Sequence, residues 1–511
     1  MGSHGLKKKE LNFTRLSMKI LFILKQVDYI DPMGIELLSA MAKREGYETY
    51  LHVLANGKLL EKIQEIQPDI VAYSAKTGEH KYYLPVNFEI KEKFPGIFSI
   101  MGGPHCTFFP QVVGEGNLDA ICVGEGDLAW PEFLRAFREK KSIESIENIY
   151  TKEAYLKGKQ PVIRKKNEDL DSLPFLDRDL VYKESPILRR FPMHSYMTGR
   201  GCPNFCTYCF NHKYNEFYRG KGKICNRYSV DRVCAELAEL KEKYPTQLIK
   251  FYDDVFVFSE DDWFNEFIEK YPREVGLPFT FLTRADYLTE SMLLKLKKAG
   301  MASISMSIEA GNDEIRNKIL KRNMSRESIL KAFLLCHKHK VPTFCNTILA
   351  IPGTKIENDI ESLDINLESK VTFGEFPIFF PYPKTELGEY AVQKRYFDGD
   401  FDKLHMSYQS ESPLSCFTKK EKLMQLNLSM LATVVLVFPW MRNITVKYLI
   451  KWPLTKLYFV LYYFTKAYLN KTKIYPVKIP PIDIFRNFLY SLKLEYSKHT
   501  KERGRKSAIV G

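Results

Sequence analysis

Gly201-Cys202-Pro203-Asn204-Phe205-Cys206-Thr207-Tyr208-Cys209 is the stretch on which the reading of this chain turns. It spaces three cysteines as CxxxCxxC. Cysteine supplies 10 of 511 residues. A chance match to that spacing is therefore expected roughly 0.004 times. Three neighbouring thiolates suit three irons of a cubane and leave the fourth iron open. A structural zinc would need a fourth ligand, and His212 is the nearby residue able to supply one, so both metals stay open at this point.

Outward from the cysteines the chain alternates. On the carboxyl side, Leu248–Tyr252, Phe279–Leu282, Ser303–Ile308, Thr343–Leu349 and Phe376–Phe380 are apolar strand candidates. Amphipathic helical segments such as Arg232–Lys243, Glu290–Ala299 and Arg326–His337 lie between them. Strand and helix alternating over residues 191–400 predict a full or partial βα barrel. On the amino side, Lys19–Leu24, Tyr50–Leu54, Ile70–Ser74, Phe98–Met101 and Ala120–Val123 alternate with helical patterns, and Gly102-Gly103 and Gly124 follow the last two. That rhythm predicts a parallel doubly wound sheet over 19–138, with ligands at the carboxyl ends of its strands. Residues 1–18 read as a tail, 139–190 as a linker and 401–511 as a helical, basic and aromatic region.

The cysteine spacing, its place after the first barrel strand and the aromatic Tyr208 before the last cysteine resemble the radical S-adenosylmethionine (SAM) superfamily. The resemblance implies a 4Fe-4S cluster on Cys202, Cys206 and Cys209, with SAM chelating the open iron. Cleavage of SAM would give a 5′-deoxyadenosyl radical able to take hydrogen from an unactivated carbon. Later segments match in order. Asp253 and Asp254 end the next strand, where the family faces the SAM ammonium. Ser305, Ser307 and Glu309 alternate along a strand before Gly311 and Asn312, and resemble the segment that binds the ribose and carboxylate of SAM. Ile351-Pro352-Gly353-Thr354 and Phe380-Pro381-Tyr382-Pro383-Lys384-Thr385 resemble its later turns. Asp253 and Glu309 also have plain readings as helix caps or turn residues.

The first domain resembles the cobalamin-binding domain that often precedes such barrels. Ser74, the pair Gly102 and Gly103, and Gly124 with Glu125 stand where that family surrounds the cobalamin nucleotide tail. One position departs. The family's cobalt-ligating histidine lies three residues before a glycine; counting back from Gly34, that place holds Asp31. Cobalt would then lack a histidine ligand, or the domain has lost cobalamin and only packs. His105 reads as a structural or solvent-facing histidine. The fold class expected is α/β: a Rossmann-like doubly wound cobalamin-binding domain, a partial TIM-like (β/α) barrel and a helical C-terminal region.

The net charge is +14, of which residues 442–511 carry +12. Residues 423–441 lack charge, but Gln425, Asn427, Ser429 and Pro439 interrupt them, so a buried or interfacial helix is expected rather than a bilayer span. Beyond, Tyr448, Trp452, Tyr458, Phe459, Tyr462, Tyr463, Phe464 and Tyr468 interleave with Lys447, Lys451, Lys456 and Lys466. This pattern fits an anionic membrane surface or a helical cap on the barrel with a solvated basic face. No nucleic-acid motif accompanies it. The absence of a signal-peptide pattern and the irregular cysteines predict a reducing cytoplasm.

The expected activity is a cobalamin-dependent radical SAM methyltransferase acting on an unactivated carbon of a hydrophobic or lipid-like substrate. Flavodoxin or ferredoxin would serve as electron donor. The alternative keeps the cofactors but performs oxidative cyclisation or ring modification without methyl transfer. A methylthiotransferase is disfavoured, because only Cys106 and Cys122 occur in the first domain, and a non-catalytic sensor would not need the full set of barrel segments.

Overall fold

Lys19-Ile20-Leu21-Phe22-Ile23-Leu24 is apolar along both faces, and the computed structural model buries it from Ile20 to Leu24 as strand β1 (Lys19–Leu24). A strand covered on both sides belongs at the centre of a parallel sheet. Strand β1 pairs in parallel with β2 (Glu48–Val53) and β3 (Ile70–Ser74), and β4 (Phe98–Gly102) and β5 (Ala120–Cys122) extend the sheet. The order is β2-β1-β3-β4-β5-β6. Helices Met33–Arg44, Leu59–Ile66, His80–Lys93 and Ala129–Arg138 intervene. Phe22, Tyr83 and Phe133 are among the largest fully buried side chains of the core.

The structure describes residues 17–491, apart from 402, 403, 405–408, 485 and 488. The tail before residue 17 and the last six basic positions, Lys493 to Lys506, lie outside the described residues.

The described chain forms two compact units, one comprising the residues up to Gln26 and Gly34–Ile163, the other Val27–Met33 and the residues from Arg164 onward. The stretch 139–190, expected as a linker, is therefore divided. Within it, β6 (Ile149–Thr151) pairs antiparallel with β5 and closes one edge of the first sheet. Three buried residues are too short to carry a visible period, which is why the sequence hid the strand.

In the second unit, β7 (Met193–Tyr196) is followed by a small antiparallel pair, β8 (Gly199–Arg200) with β9 (Asn226–Arg227). Five more parallel strands follow: β10 (Leu248–Phe251), β11 (Phe279–Thr283), β12 (Met301–Met306), β13 (Thr343–Asn346) and β14 (Phe373–Glu375). Their order, β14-β13-β12-β11-β10-β7, makes a partial barrel with open edges at β7 and β14. The last strand lies earlier than the expected Phe376–Phe380. Pro377 and Pro381 lack the ladder donor, and the pairing beyond β14 shrinks to a single bridge between Leu349 and Ile378.

The C-terminal region folds with the barrel rather than apart from it. Helix Lys419–Val437 is buried along most of its length. The Asn427 amide donates to Ile450 O at 2.9 Å and Trp452 O at 2.8 Å, and Thr433 donates to Gly374 O at 2.7 Å. No helix among the described residues is long and apolar enough to cross a membrane. Helix Thr455–Leu469 turns Tyr458, Tyr462 and Leu469 inward and leaves Phe464 and Tyr468 about 60% exposed.

The chain then runs beneath the barrel. Ile474 packs with Phe373, and Val477 with Met193 and Leu248, residues that begin β14, β7 and β10. Ser303 donates to Ile474 O at 2.7 Å, and Gln247 exchanges two hydrogen bonds with the Lys478 backbone. Residues 469–479 are thus a strap across the amino-terminal ends of the strands. Burial of Leu469, Ile474 and Val477 contributes roughly 1.5–3 kcal/mol each.

Candidate active site

The cysteine loop leaves β8 at Gly201, whose φ is +93°. A Cβ there would stand 2.0 Å from Ile224 O, so only glycine allows this approach of the two backbones. Thr207 pins the loop: its N–H donates to Leu320 O at 3.1 Å and its hydroxyl to Ile319 O at 2.7 Å, while its carbonyl accepts from Leu387 N at 2.9 Å. Cys202, Cys206 and Cys209 all line one cavity of about 750 Å³. Asn204 donates its amide to Cys202 Sγ at 3.3 Å, and the buried Arg322 guanidinium approaches Cys206 Sγ at 3.8 Å. Burial pushes the Cys209 thiol up to about 12. Among the described residues the three cysteines are not drawn together as a ready-made metal site, but they line one cavity and two of their sulfurs stand beside N–H donors, a donor set suited to a thiolate-bound cluster whose irons would hold the sulfurs deprotonated. His212 engages Glu216 at 3.1 Å and Glu386 at 3.9 Å instead of joining the cysteines.

The same cavity gathers Tyr208, Asp253, Asp254, Ser305, Ser307 and Glu309. Asp253 is buried and accepts from the Thr198 N–H at 3.0 Å and hydroxyl at 2.6 Å. Desolvation raises its carboxyl to about 6, against those donors and the attraction of Arg227. Glu309 takes φ +67°, a left-handed conformation that a non-glycine residue holds only when its surroundings fix it. Its carboxylate accepts from Tyr208 Oη at 2.9 Å, and burial pushes its titration upward despite Arg322.

Arg322, in the polar run Lys321-Arg322-Asn323, was not among the candidates that the sequence offered. It is 8% exposed and donates to Ser307 O at 3.0 Å and Tyr208 Oη at 3.3 Å, yet its Nε has no partner among the described residues. A buried guanidinium with a spare donor beside a cavity is equipped to receive an anionic oxygen. The expected turns Ile351–Thr354 and Phe380–Thr385 are not in the cavity lining among the described residues.

In the first unit, Ser74 and Gly102 are register partners at the ends of β3 and β4, and Gly124 follows the neighbouring β5. The turns therefore stand side by side at the carboxyl edge of the sheet, where a parallel sheet takes its ligand. Gly103 has φ +96°, and a Cβ there would come within 2.8 Å of Ala75 O. That glycine is required by the chain's own packing. Gly124 N donates to Thr107 Oγ1 at 3.0 Å, and Glu125 O accepts from Asn148 at 2.8 Å. His105 stacks on His80 with 3.7 Å between ring centroids, and burial and that neighbour lower its titration to about 3, as a structural histidine would show.

Asp31 belongs to the second unit, where it is 2% exposed. It meets Arg178 at 3.1 Å and accepts from Tyr182 Oη at 2.6 Å and Ser195 N at 2.7 Å. Burial alone would raise its carboxyl; Arg178, His194 and the two donors outweigh that and hold it below the usual range. Its oxygens are committed to protein donors.

Residues 196–364 match the family model described as the Radical SAM superfamily, and residues 22–134 match that of the B12 binding domain. An uncharacterized methyltransferase of Pyrococcus horikoshii is 25% identical over 368 residues, 71% of this chain and 78% of that protein. The hopanoid C-3 methylase of Methylococcus capsulatus is 26% identical over 304 residues, 57% of this chain and 56% of that protein. The fold is shared with the radical S-adenosylmethionine methyltransferase TsrM of Kitasatospora setae, at a TM-score of 0.58 and 16% identity, over 74% of this chain and 76% of that one.

Proposed function

The chain belongs to the radical SAM superfamily and carries a B12-binding domain ahead of its barrel, with a 4Fe-4S cluster, SAM and cobalamin as its cofactors; from that premise we propose that it methylates an unactivated carbon of a hydrophobic or lipid-like substrate. When bound, the cluster and SAM supply a carbon-centred radical, and cobalamin carries the methyl group. One observation carries the reading: three cysteines, two aspartates, Ser307, Glu309 and Tyr208 share a single cavity. Cys202, Cys206 and Cys209 would hold three irons. Asp253 and Asp254 would face the ammonium of SAM, and Arg322 its carboxylate, while Tyr208 and Arg322 hold Glu309 in place. In the first unit, Ser74, Gly102, Gly103, Gly124 and Glu125 would border cobalamin.

The Pyrococcus horikoshii and Methylococcus capsulatus relatives bear methyl-transferring names and support this reading, while two others, 24% identical, are named as anaerobic magnesium-protoporphyrin IX monomethyl ester cyclases. Phe281, Leu282, Phe344 and Ile348 give the cavity an apolar wall. Phe438, Trp440, Trp452, Leu457, Phe464 and Tyr468 are exposed together with Lys447, Lys451 and Lys456. Rings beside lysines suit peripheral attachment to an anionic lipid surface at the inner face of a cell membrane. A low-potential donor such as flavodoxin or ferredoxin would reduce the cluster.

The test is anaerobic reconstitution of the full chain with iron, sulfide and cobalamin, supplied with methyl-labelled SAM and a lipid extract. Methyl transfer yields S-adenosylhomocysteine, 5′-deoxyadenosine and a labelled lipid. Abundant 5′-deoxyadenosine without S-adenosylhomocysteine would replace this reading with the cyclising one.

A further inference from the structure

The cavity has a second charged end, away from the cysteines. Lys250, on β10, lies three residues before Asp253, about 10 Å along an extended strand. Its ammonium donates to Tyr475 Oη at 2.8 Å and also engages the Tyr252 hydroxyl. It also stands 4.4 Å from the Tyr252 ring centroid and 4.7 Å from that of Tyr475. Nearby, Lys466 pairs with Glu375, and Tyr462 donates to the same carboxylate at 3.2 Å. Lys250, Glu375, Lys466, Ile474 and Tyr475 all line the cavity.

Two ammonium groups therefore share one carboxylate at the floor. Lys466 is matched by contact with Glu375; Lys250 acts on Glu375 only through space. An ammonium has three donors, and with Tyr475 and Tyr252 engaged one on Lys250 is left for the cavity. At the opposite end Asp253, Asp254 and Glu309 line the cavity with Arg322, which acts on Glu309, while Arg284 is already paired with Asp286 at 2.8 Å. The cavity is thus polarised: carboxylate-rich beside the cysteines, ammonium-rich at the floor. A cation is drawn to the first end and an anion to the second.

We propose that Lys250, positioned by Tyr475, is the seat for a carboxylate or phosphate group of the substrate, whose apolar body lies along the wall towards the cysteines. The assignment rests on the methyltransferase reading for the word substrate, but not for the binding itself. An anion at the floor compensates the second ammonium, and the apolar wall contributes through Phe281, Leu282 and Phe344. Substrate orientation then follows from charge: the anionic end is held at the floor beside Lys250.

Equilibrium binding tests this without turnover, so failure of methyl transfer and failure of the seat are separable. The reconstituted full chain with SAM is titrated calorimetrically with octanoate, octyl phosphate, octanol, octylamine and inorganic phosphate. Octanoate and octyl phosphate are expected to bind at least tenfold more tightly than octanol or octylamine, and octyl phosphate more tightly than inorganic phosphate. Lys250→Met should cost tenfold or more for both anions, Lys250→Arg should restore most of it, and Lys250→Glu should reverse the preference towards octylamine. Circular dichroism and the cluster chromophore report folding, and the wild-type series stands by itself if a variant does not fold. Equal binding of octanol and octanoate, equal binding of inorganic and octyl phosphate, or unchanged anion affinity in folded Lys250→Met would overturn the proposal.

Discussion

The two ends of the barrel cavity are built in opposite ways. The cysteine end is assembled from strand ends and the loops that leave them: 202–209, 253–254 and 305–309. The floor is assembled from strand interiors and from a strap that arrives more than 200 residues after Lys250. Loops that bind a cofactor must present fixed residue types at fixed spacing, so their chemistry is written locally. A floor needs only side chains that meet in space, and any part of the chain able to reach it can supply them.

The comparison predicts that damage at the cysteine end abolishes chemistry, whereas damage at the floor loosens the fold or the ligand. The largest effect belongs to Cys202, Cys206 or Cys209→Ala. Each should lose the iron–sulfur chromophore and lower SAM cleavage by roughly 100-fold or more, read by iron content and 5′-deoxyadenosine formation. Arg322→Met should come next. It leaves the buried Glu309 carboxylate without its cation, at a cost of about 3 kcal/mol in chemical denaturation of the apoprotein.

Acid should strain the network beside β7. His194 is buried, accepts or donates with Tyr182 Oη at 2.7 Å, and titrates at about 4, chiefly because burial disfavours its charged form. The unfolded chain takes up that proton near pH 6.5, and the folded chain only near 4. Stability is therefore whole above pH 6.5 and falls as pH drops towards 4, by on the order of 3 kcal/mol for this group. Folded His194→Gln should flatten that part of the stability–pH curve.

The smallest effect is expected at the floor pair. Lys466 and Glu375 keep 35% and 21% of their side-chain surface, facing the cavity. Water there screens the loss, so Lys466→Met should cost about 2 kcal/mol, less than a fully buried pair would. Lys466→Met with Glu375→Gln should recover most of it, since no carboxylate is then stranded; a double variant no better than the single one would count against the pairing.

The same contrast explains what the sequence could tell. The parallel sheet, the barrel and the cysteine loop were legible because apolar runs, turn residues and cysteine spacing are local signals, whereas Asp253, Ser307 and Glu309, which line the cavity, were singled out only by the family resemblance. Arg322 was hidden in a polar run whose burial depends on the fold. Strand β6 was too short to read, and prolines shifted the last barrel strand. The tail mixes two faces: Lys466, Ile474 and Tyr475 line the cavity and Tyr462 donates to Glu375 there, while Phe464, Tyr468 and Trp440 face outward. Composition gives both sets the same aromatic and basic character, and only packing separates them.

The central claim is that Cys202, Cys206 and Cys209 hold a cluster with one iron open to SAM. Electron paramagnetic resonance of the anaerobically reconstituted, reduced full chain, recorded with and without SAM, tests it most directly. The account predicts a reduced 4Fe-4S signal whose g-values shift when SAM is added. A signal indifferent to SAM, or protein that carries four-coordinate zinc at these sulfurs and no iron, would contradict it.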